Sequence, residues 1–231
     1  MESIAKTSEF VCRYCERSFR RESTLSVHLC EAKRRSQQEH DPEVKLGFQT
    51  YLRFYELTQG SAKLKTYADF ASSPYYLAFV KFGRHIRAIN VLVPSKFIDF
   101  VIKQNKKLDH WCHDSVYEEY LLQHTRHEAV QDALARTIEL AQTWAEENNS
   151  AFNHVFLYGN SNRICYQITQ GRITAWALFN CKSGQAFLDK LNEEQTSIVY
   201  KWIDPTYWQK RFVDYPADTA WAQHMLAEAG F

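Results

Sequence analysis

Cys12 and Cys15 stand two residues apart, twelve residues separate Cys15 from His28, and Cys30 follows two positions later. A Cys-x-x-Cys pair on a tight turn presents two thiolates to one ion, and an imidazole supplies a third tetrahedral position. Three of the six cysteines fall within the first thirty residues. In a reducing compartment such close pairs bind metal more often than they form disulfides. Two residues compete for the fourth position, Cys30 and His40. Residues i and i+2 on a helix face different sides, so the chain must tighten or unwind after His28 for Cys30 to reach the ion. Cys30 is favoured, because a thiolate already beside the site closes the sphere with little added loop entropy. A fourth position open to water would call for a carboxylate base, and no nearby one is placed for that role.

The apolar framework around these ligands is equally ordered. Phe10 precedes the pair, Phe19 lies four residues after Cys15, and Leu25 lies three before His28. With this framework the stretch of about residues 8–35 resembles the two-cysteine, two-histidine zinc finger. That resemblance implies a ββα fold with Cys12, Cys15 and His28 on Zn²⁺, the metal supplying most of the folding free energy. It also implies a helix over residues 22–28 with His28 facing the zinc. The family places its last ligand four to six residues after His28, where this chain has Ala32, Lys33 and Arg34. The fourth ligand is where the pattern departs. Carried over, the base-reading positions are Arg21, Thr24 and Val27. Arg13, Arg17, Arg20, Lys33, Arg34 and Arg35 are then candidates for phosphate contacts. The implied partner is DNA, or RNA. One finger reads about three base pairs and is weak alone, and some such modules dock on proteins instead.

Other residues invite weighing. Asp109-His110-Trp111-Cys112-His113-Asp114 is followed by His124 and His127, which share a helix face at a spacing of three. An enzyme would use that cluster for metal or acid–base chemistry; scattered solvated histidines are the ordinary reading. Tyr158-Gly159-Asn160-Ser161-Asn162-Arg163 reads as a helix cap rather than a phosphate loop. Walker, dinucleotide, nucleophile-elbow and zinc-protease patterns are absent, and no catalytic residue is assigned.

Charge is distributed unevenly beneath a formal total of +1. Residues 1–36 carry eight basic and five acidic side chains. Residues 81–107 carry seven Lys and Arg against one Asp, whereas 109–148 carry two Arg against nine Asp and Glu. The near-neutral sum excludes binding of polyanions through bulk charge. The basic segment at 81–107 predicts either a phosphate-tracking face or a solvated one.

These side chains must be held by a body rich enough to form a core. Hydrophobic residues make up 45% and aromatics 15%, with only 7 Gly and 5 Pro, too few for the corners of an all-β sandwich. The expected fold is mainly α: a finger over 1–35, a polar linker over 36–41 within a stretch that reads as linker or basic helical extension, and a multi-helix domain over 42–231. Asp41-Pro42 opens a helix that Gly60 closes. Further helices are predicted from Pro74 to about Ile89, Pro94 to about Lys106, Asn160 to Gln170 and from Ser183-Gly184 to Leu191. Pro205 and Pro216 each open another. Ser115 to Glu147 predicts one long amphipathic helix, broken near His124. Ala175 to Phe179 reads as a short strand or one helical turn. Trp176, Trp202, Trp208 and Trp221 are assigned to packing.

No apolar run approaches the roughly 20 residues that span a bilayer, and the first residues lack the apolar stretch of a signal peptide. The expected location is cytoplasmic. In overall texture the body is similar to uncharacterised conserved proteins of tailed bacteriophages, which implies the host cytoplasm and assigns no activity. The expectation is a zinc-stabilised nucleic-acid-binding protein. A protein–protein adaptor engaging replication or transcription machinery is the alternative, and an enzyme using the histidines another.

Overall fold

A computed structural model describes residues 10–60 and 64–231; residues 1–9, including the start of the finger-like stretch, lie outside it. The strands β1 (Phe10–Val11) and β2 (Ser18–Phe19) pair antiparallel, with Phe10 opposite Phe19 and Val11 opposite Ser18. Alternation along a strand therefore sends both phenylalanines to one face and leaves Val11 outside. The connecting turn is closed by the Cys12 amide donating to Arg17 O at 3.0 Å and the Glu16 amide to Cys12 O at 2.8 Å. Helix α1 (Glu22–Ser26) packs on both strands. Helix α2 (Glu31–Gln37) follows, with Cys30 at its N-cap.

Together with fifteen α-helices among the described residues, that hairpin makes the fold mainly α, with a small ββα element ahead of a multi-helix body. The chain packs as two units that divide between Val116 and Tyr117.

The helical part of the first unit is built on α3 (Pro42–Gln59), which starts after Asp41 as predicted and stops at Gly60, where φ is 71°. Helix α4 (Tyr67–Ser72) was not anticipated, although Thr66 and Asp69 form a reciprocal capping box. Helix α5 (Tyr76–Ala88) begins two residues after Pro74, and α6 (Pro94–Lys103) begins at its proline. Helices α3 and α5 meet backbone to backbone at two glycines. A Cβ on Gly83 would lie 2.2 Å from the Glu43 carbonyl oxygen, and one on Gly47 2.8 Å from that of Phe79. Any side chain there would push the helices apart. Phe70, Phe82, Phe97 and Trp111 fill the core beneath this crossing. Arg53 joins α3 to α6 through a two-pronged pair with Asp99, at 2.6 and 2.8 Å.

The predicted long helix is two helices, α7 (Asp114–His127), within which the units divide, and α8 (Val130–Asn148). The break falls at Glu128–Ala129, beyond His124. Ala129 is extended, and the Glu128 carboxylate is buried against Arg136 at 2.7 and 2.8 Å. The second unit continues through α9 (Val155–Tyr158), α10 (Ser161–Thr169) and α11 (Ala175–Asn180). It ends with α12 (Lys182–Asp189), α13 (Glu193–Tyr200), α14 (Pro205–Asp214) and α15 (Pro216–Glu228). The segment at Ala175 is helical, not a strand. Trp176 and Trp208 are fully buried, their rings 5.6 Å apart, while Trp202 and Trp221 pack against the same core.

Candidate metal centre

Four side chains from four pieces of backbone converge at the hairpin. Cys12 follows β1, Cys15 lies in the turn, His28 follows α1, and Cys30 precedes α2. Their ligating atoms all lie within 4.8 Å of one another. A tetrahedral ion with metal–sulfur bonds of about 2.3 Å sets sulfur–sulfur edges of about 3.8 Å. The Cys12 and Cys30 sulfurs are 3.9 Å apart, and the Cys15 sulfur is 3.3 Å from His28 Nε2. The sulfur spacing is far too long for a disulfide, and all six cysteines are free. The donor set therefore fits a metal ion: three thiolates and one imidazole. His40 is exposed and outside the group, of which Cys30 is the fourth member.

Cys30 reaches it because the helix stops early. The resemblance implied a helix through His28, but α1 ends at Ser26 and Val27 is its C-cap. The His28 amide donates to Leu25 O at 3.1 Å, a tightened last turn, after which the chain leaves the helix. Cys30 is extended, with ψ 165°, and its sulfur accepts the Lys33 amide at 3.4 Å. One sulfur is thus both a prospective ligand and the N-cap acceptor of α2. The Lys33 ammonium holds the His28 carbonyl at 3.1 Å. The His28 ring rests on Phe19, 4.7 Å between centroids.

The two cysteines of the turn shift in opposite directions. The Tyr14 amide, followed by that of Cys15, lowers the Cys12 thiol below its ordinary value. At Cys15 the Arg17 amide acts downward, but burial and the neighbouring Cys30 and Cys12 sulfurs outweigh it and the thiol is raised. A cation among three sulfurs removes that mutual opposition.

The basic candidates separate into two groups. Arg13 donates to the Tyr14 hydroxyl at 2.8 Å and lies over its ring; Arg17 lies over Phe19. Arg13, Arg17, Arg20 and Arg21 are all exposed, as is Thr24, and Val27 is 80% exposed. On α2, by contrast, every cation has an internal partner. Lys33 serves His28, and Arg34 pairs with Glu31. Arg35 pairs with Glu31 at 2.9 Å, donates to Ala71 O at 2.7 Å and covers the Tyr76 ring at 4.4 Å. The Tyr67 hydroxyl donates to Arg35 O at 2.5 Å. Arg35 thus fastens α2 to α4 and α5. No sequence signal announced that role, since its partners are main-chain oxygens more than thirty residues away.

The histidines singled out in sequence have separate surroundings. His110 and His113 stack on each other at 5.1 Å. His124 stacks on Tyr120 and lies 3.6 Å from Glu128, while His127 Nδ1 is 2.8 Å from Gln123 O. No second group of three ligating side chains gathers among the described residues. In the second basic segment Arg87 pairs with Glu43 at 2.9 Å, and Lys81, Arg84, Lys96 and Lys103 are exposed. Asn160 caps α10, accepting the Arg163 amide at 3.1 Å.

No family model, no curated protein and no solved structure matches the chain. Its function must be read from the cluster itself. A Cys3His group that can hold a metal ion is its chemical feature, and no helix among the described residues is long and apolar enough to cross a membrane.

Proposed function

We propose that the chain is a zinc protein whose metal-stabilised finger contacts nucleic acid. The observation that carries this reading is the convergence of Cys12, Cys15, His28 and Cys30 at tetrahedral spacing. Zn²⁺ is the ion of choice for a closed set of thiolate and imidazole donors, and it has no geometric demand beyond the tetrahedron. Three thiolates around a divalent ion leave the centre at −1, so the surrounding arginines set the sign of the surface. With Lys33, Arg34 and Arg35 engaged internally, the contact falls to Arg13, Arg17, Arg20 and Arg21. The five-residue α1 offers Arg21 and Thr24 for base edges and little more, which supports weak, phosphate-dominated binding.

Electrophoretic mobility shifts on single- and double-stranded DNA and on RNA, taken across a salt series, test this. About four phosphate contacts predict a slope of log affinity on log salt between roughly −3 and −4 for duplex DNA. A combined R17Q/R20Q/R21Q variant should lose most of that slope while retaining zinc. Absence of any shift at low salt with the zinc-loaded protein would remove nucleic acid from the account.

A specific observation favours a second reading. Val11, Val27 and Leu29 are 51%, 80% and 60% exposed on so small a module. Exposed aliphatic side chains are what a finger docking on a protein presents. On that adaptor reading V27S and L29S would release a co-purifying partner, whereas charge removal at Arg17, Arg20 and Arg21 would not.

A further inference from the structure

Helix α2 has little of its own to hold it. It is seven residues long and buries none of them, and Lys33, Arg34 and Arg35 follow one another along it. A helix this short is marginal in water, so its order must come from what holds its two ends. The metal centre holds the first. The Cys30 sulfur accepts the Lys33 amide at 3.4 Å, and the Lys33 ammonium reaches back to the His28 carbonyl at 3.1 Å. Two of the four prospective ligands are thereby tied to the first turn of α2.

The helical body holds the other end. The Arg35 guanidinium donates to the carbonyls of Ala71 at 2.7 Å and Ser73 at 3.5 Å, and lies over the Tyr76 ring at 4.4 Å. The Tyr67 hydroxyl donates in turn to the Arg35 carbonyl at 2.5 Å. Tyr76 is buried, so the ring face that Arg35 covers is shielded from water, where a cation over a ring counts for most. Arg34, its neighbour in sequence, offers the contrast. Its side chain is 51% exposed against 17% for Arg35, and its guanidinium meets only Glu31.

We infer that α2 is a relay: filling of the metal centre and docking of α2 on the corner between α4 and α5 form one coupled equilibrium. An ion that gathers His28 and Cys30 fixes where α2 starts, and the helix then sets Arg35 over Tyr76. Losing the ion frees the first turn and, through it, the docked end. Arg35 is a positioning residue for the metal although it touches no ligand. Such coupling is reciprocal, so the factor that docking adds to zinc affinity is the factor that zinc adds to docking. The inference rests on the zinc part of the proposed function and is independent of nucleic acid.

Zinc affinity by chelator competition and amide hydrogen exchange, both on the full-length protein, test the relay. Arg35→Ala should still bind one zinc but at least about fivefold more weakly, the lower end of ordinary coupling between sites. Arg34→Ala removes the same charge from the same helix and should change affinity by less than about twofold, because an exposed pair contributes little. Tyr67→Phe, a milder change that removes one docking bond and no charge, should weaken zinc by about threefold. Withdrawing zinc from the native chain should speed exchange over residues 33–38 and 67–76. Residues 47–54 and 79–86, at the crossing of α3 and α5, should stay protected, and their protection in Arg35→Ala verifies the fold of that variant. Equal weakening by the Arg34 and Arg35 variants, or zinc withdrawal that leaves 67–76 unchanged, overturns the relay while the zinc reading stands. Exchange rising equally through α3 and α5 overturns it too, the ion then holding the whole unit. A reduced chain that takes up no zinc removes the zinc reading, and the relay falls with it.

Discussion

The backbone amide of Lys33 donates to the sulfur of Cys30 at 3.4 Å, while that same sulfur stands 3.9 Å from Cys12. Metal and helix therefore compete for nothing: a thiolate accepts an amide and coordinates an ion at once. Cys30→Ala should remove both, abolishing stoichiometric zinc and costing α2 its cap, a loss of about 1 kcal/mol for the cap alone. His40→Ala should leave zinc content unchanged. Metal analysis of the two purified variants, with circular dichroism, measures the contrast.

Arg35 lies at the far end of α2 and joins it to the body by hydrogen bonds to Ala71 and Ser73 and by its position over Tyr76. Arg35→Ala should destabilise the first unit by about 2–3 kcal/mol, the scale of a charge-assisted hydrogen bond with accompanying packing. Lysine should restore little, because one ammonium cannot reproduce the planar fork. Urea unfolding followed by tryptophan fluorescence is the measurement.

Glu128 sets the break between α7 and α8, its carboxylate buried against Arg136, which also donates to Gly171 O at 2.8 Å. Glu128→Gln should cost about 3–5 kcal/mol, since it leaves a guanidinium poorly matched in a desolvated place. Calorimetry should show this as a lowered transition of the second unit, with zinc content unaltered.

The two-pronged hydrogen bonds from Arg53 hold the Asp99 carboxyl below its usual range. A depressed folded value means that its contribution to stability is complete above the unfolded value, near about 3.9, and is lost as pH falls through the folded one. Urea midpoints measured from pH 6 down to acid should therefore fall less steeply for Asp99→Asn than for the native chain. The variant should also be weaker at neutral pH.

Proline and glycine punctuation made much of this fold legible. Pro42, Pro94, Pro205 and Pro216 each open the helix they predict, and Gly60 and Gly171 follow helices with positive φ. Helices α4 and α13 were missed although Thr66 with Asp69, and Asn192 with Gln195, carry the capping-box pattern. Their apolar periodicity is too short to register. The gathering of Cys12, Cys15 and His28 was readable from spacing, and Cys30 from its nearness. The early stop of α1 was not, because nothing in Glu22–Val27 is a helix breaker. The contacts that occupy Lys33 and Arg35 were equally invisible, being made to main-chain carbonyls.

The zinc X-ray absorption spectrum of the purified full-length protein tests the central claim most directly. The account predicts one zinc per chain with three sulfurs at about 2.3 Å and one nitrogen at about 2.0–2.1 Å. A shell of two sulfurs and two nitrogens, or protein purified under reducing conditions that takes up no zinc, would contradict it.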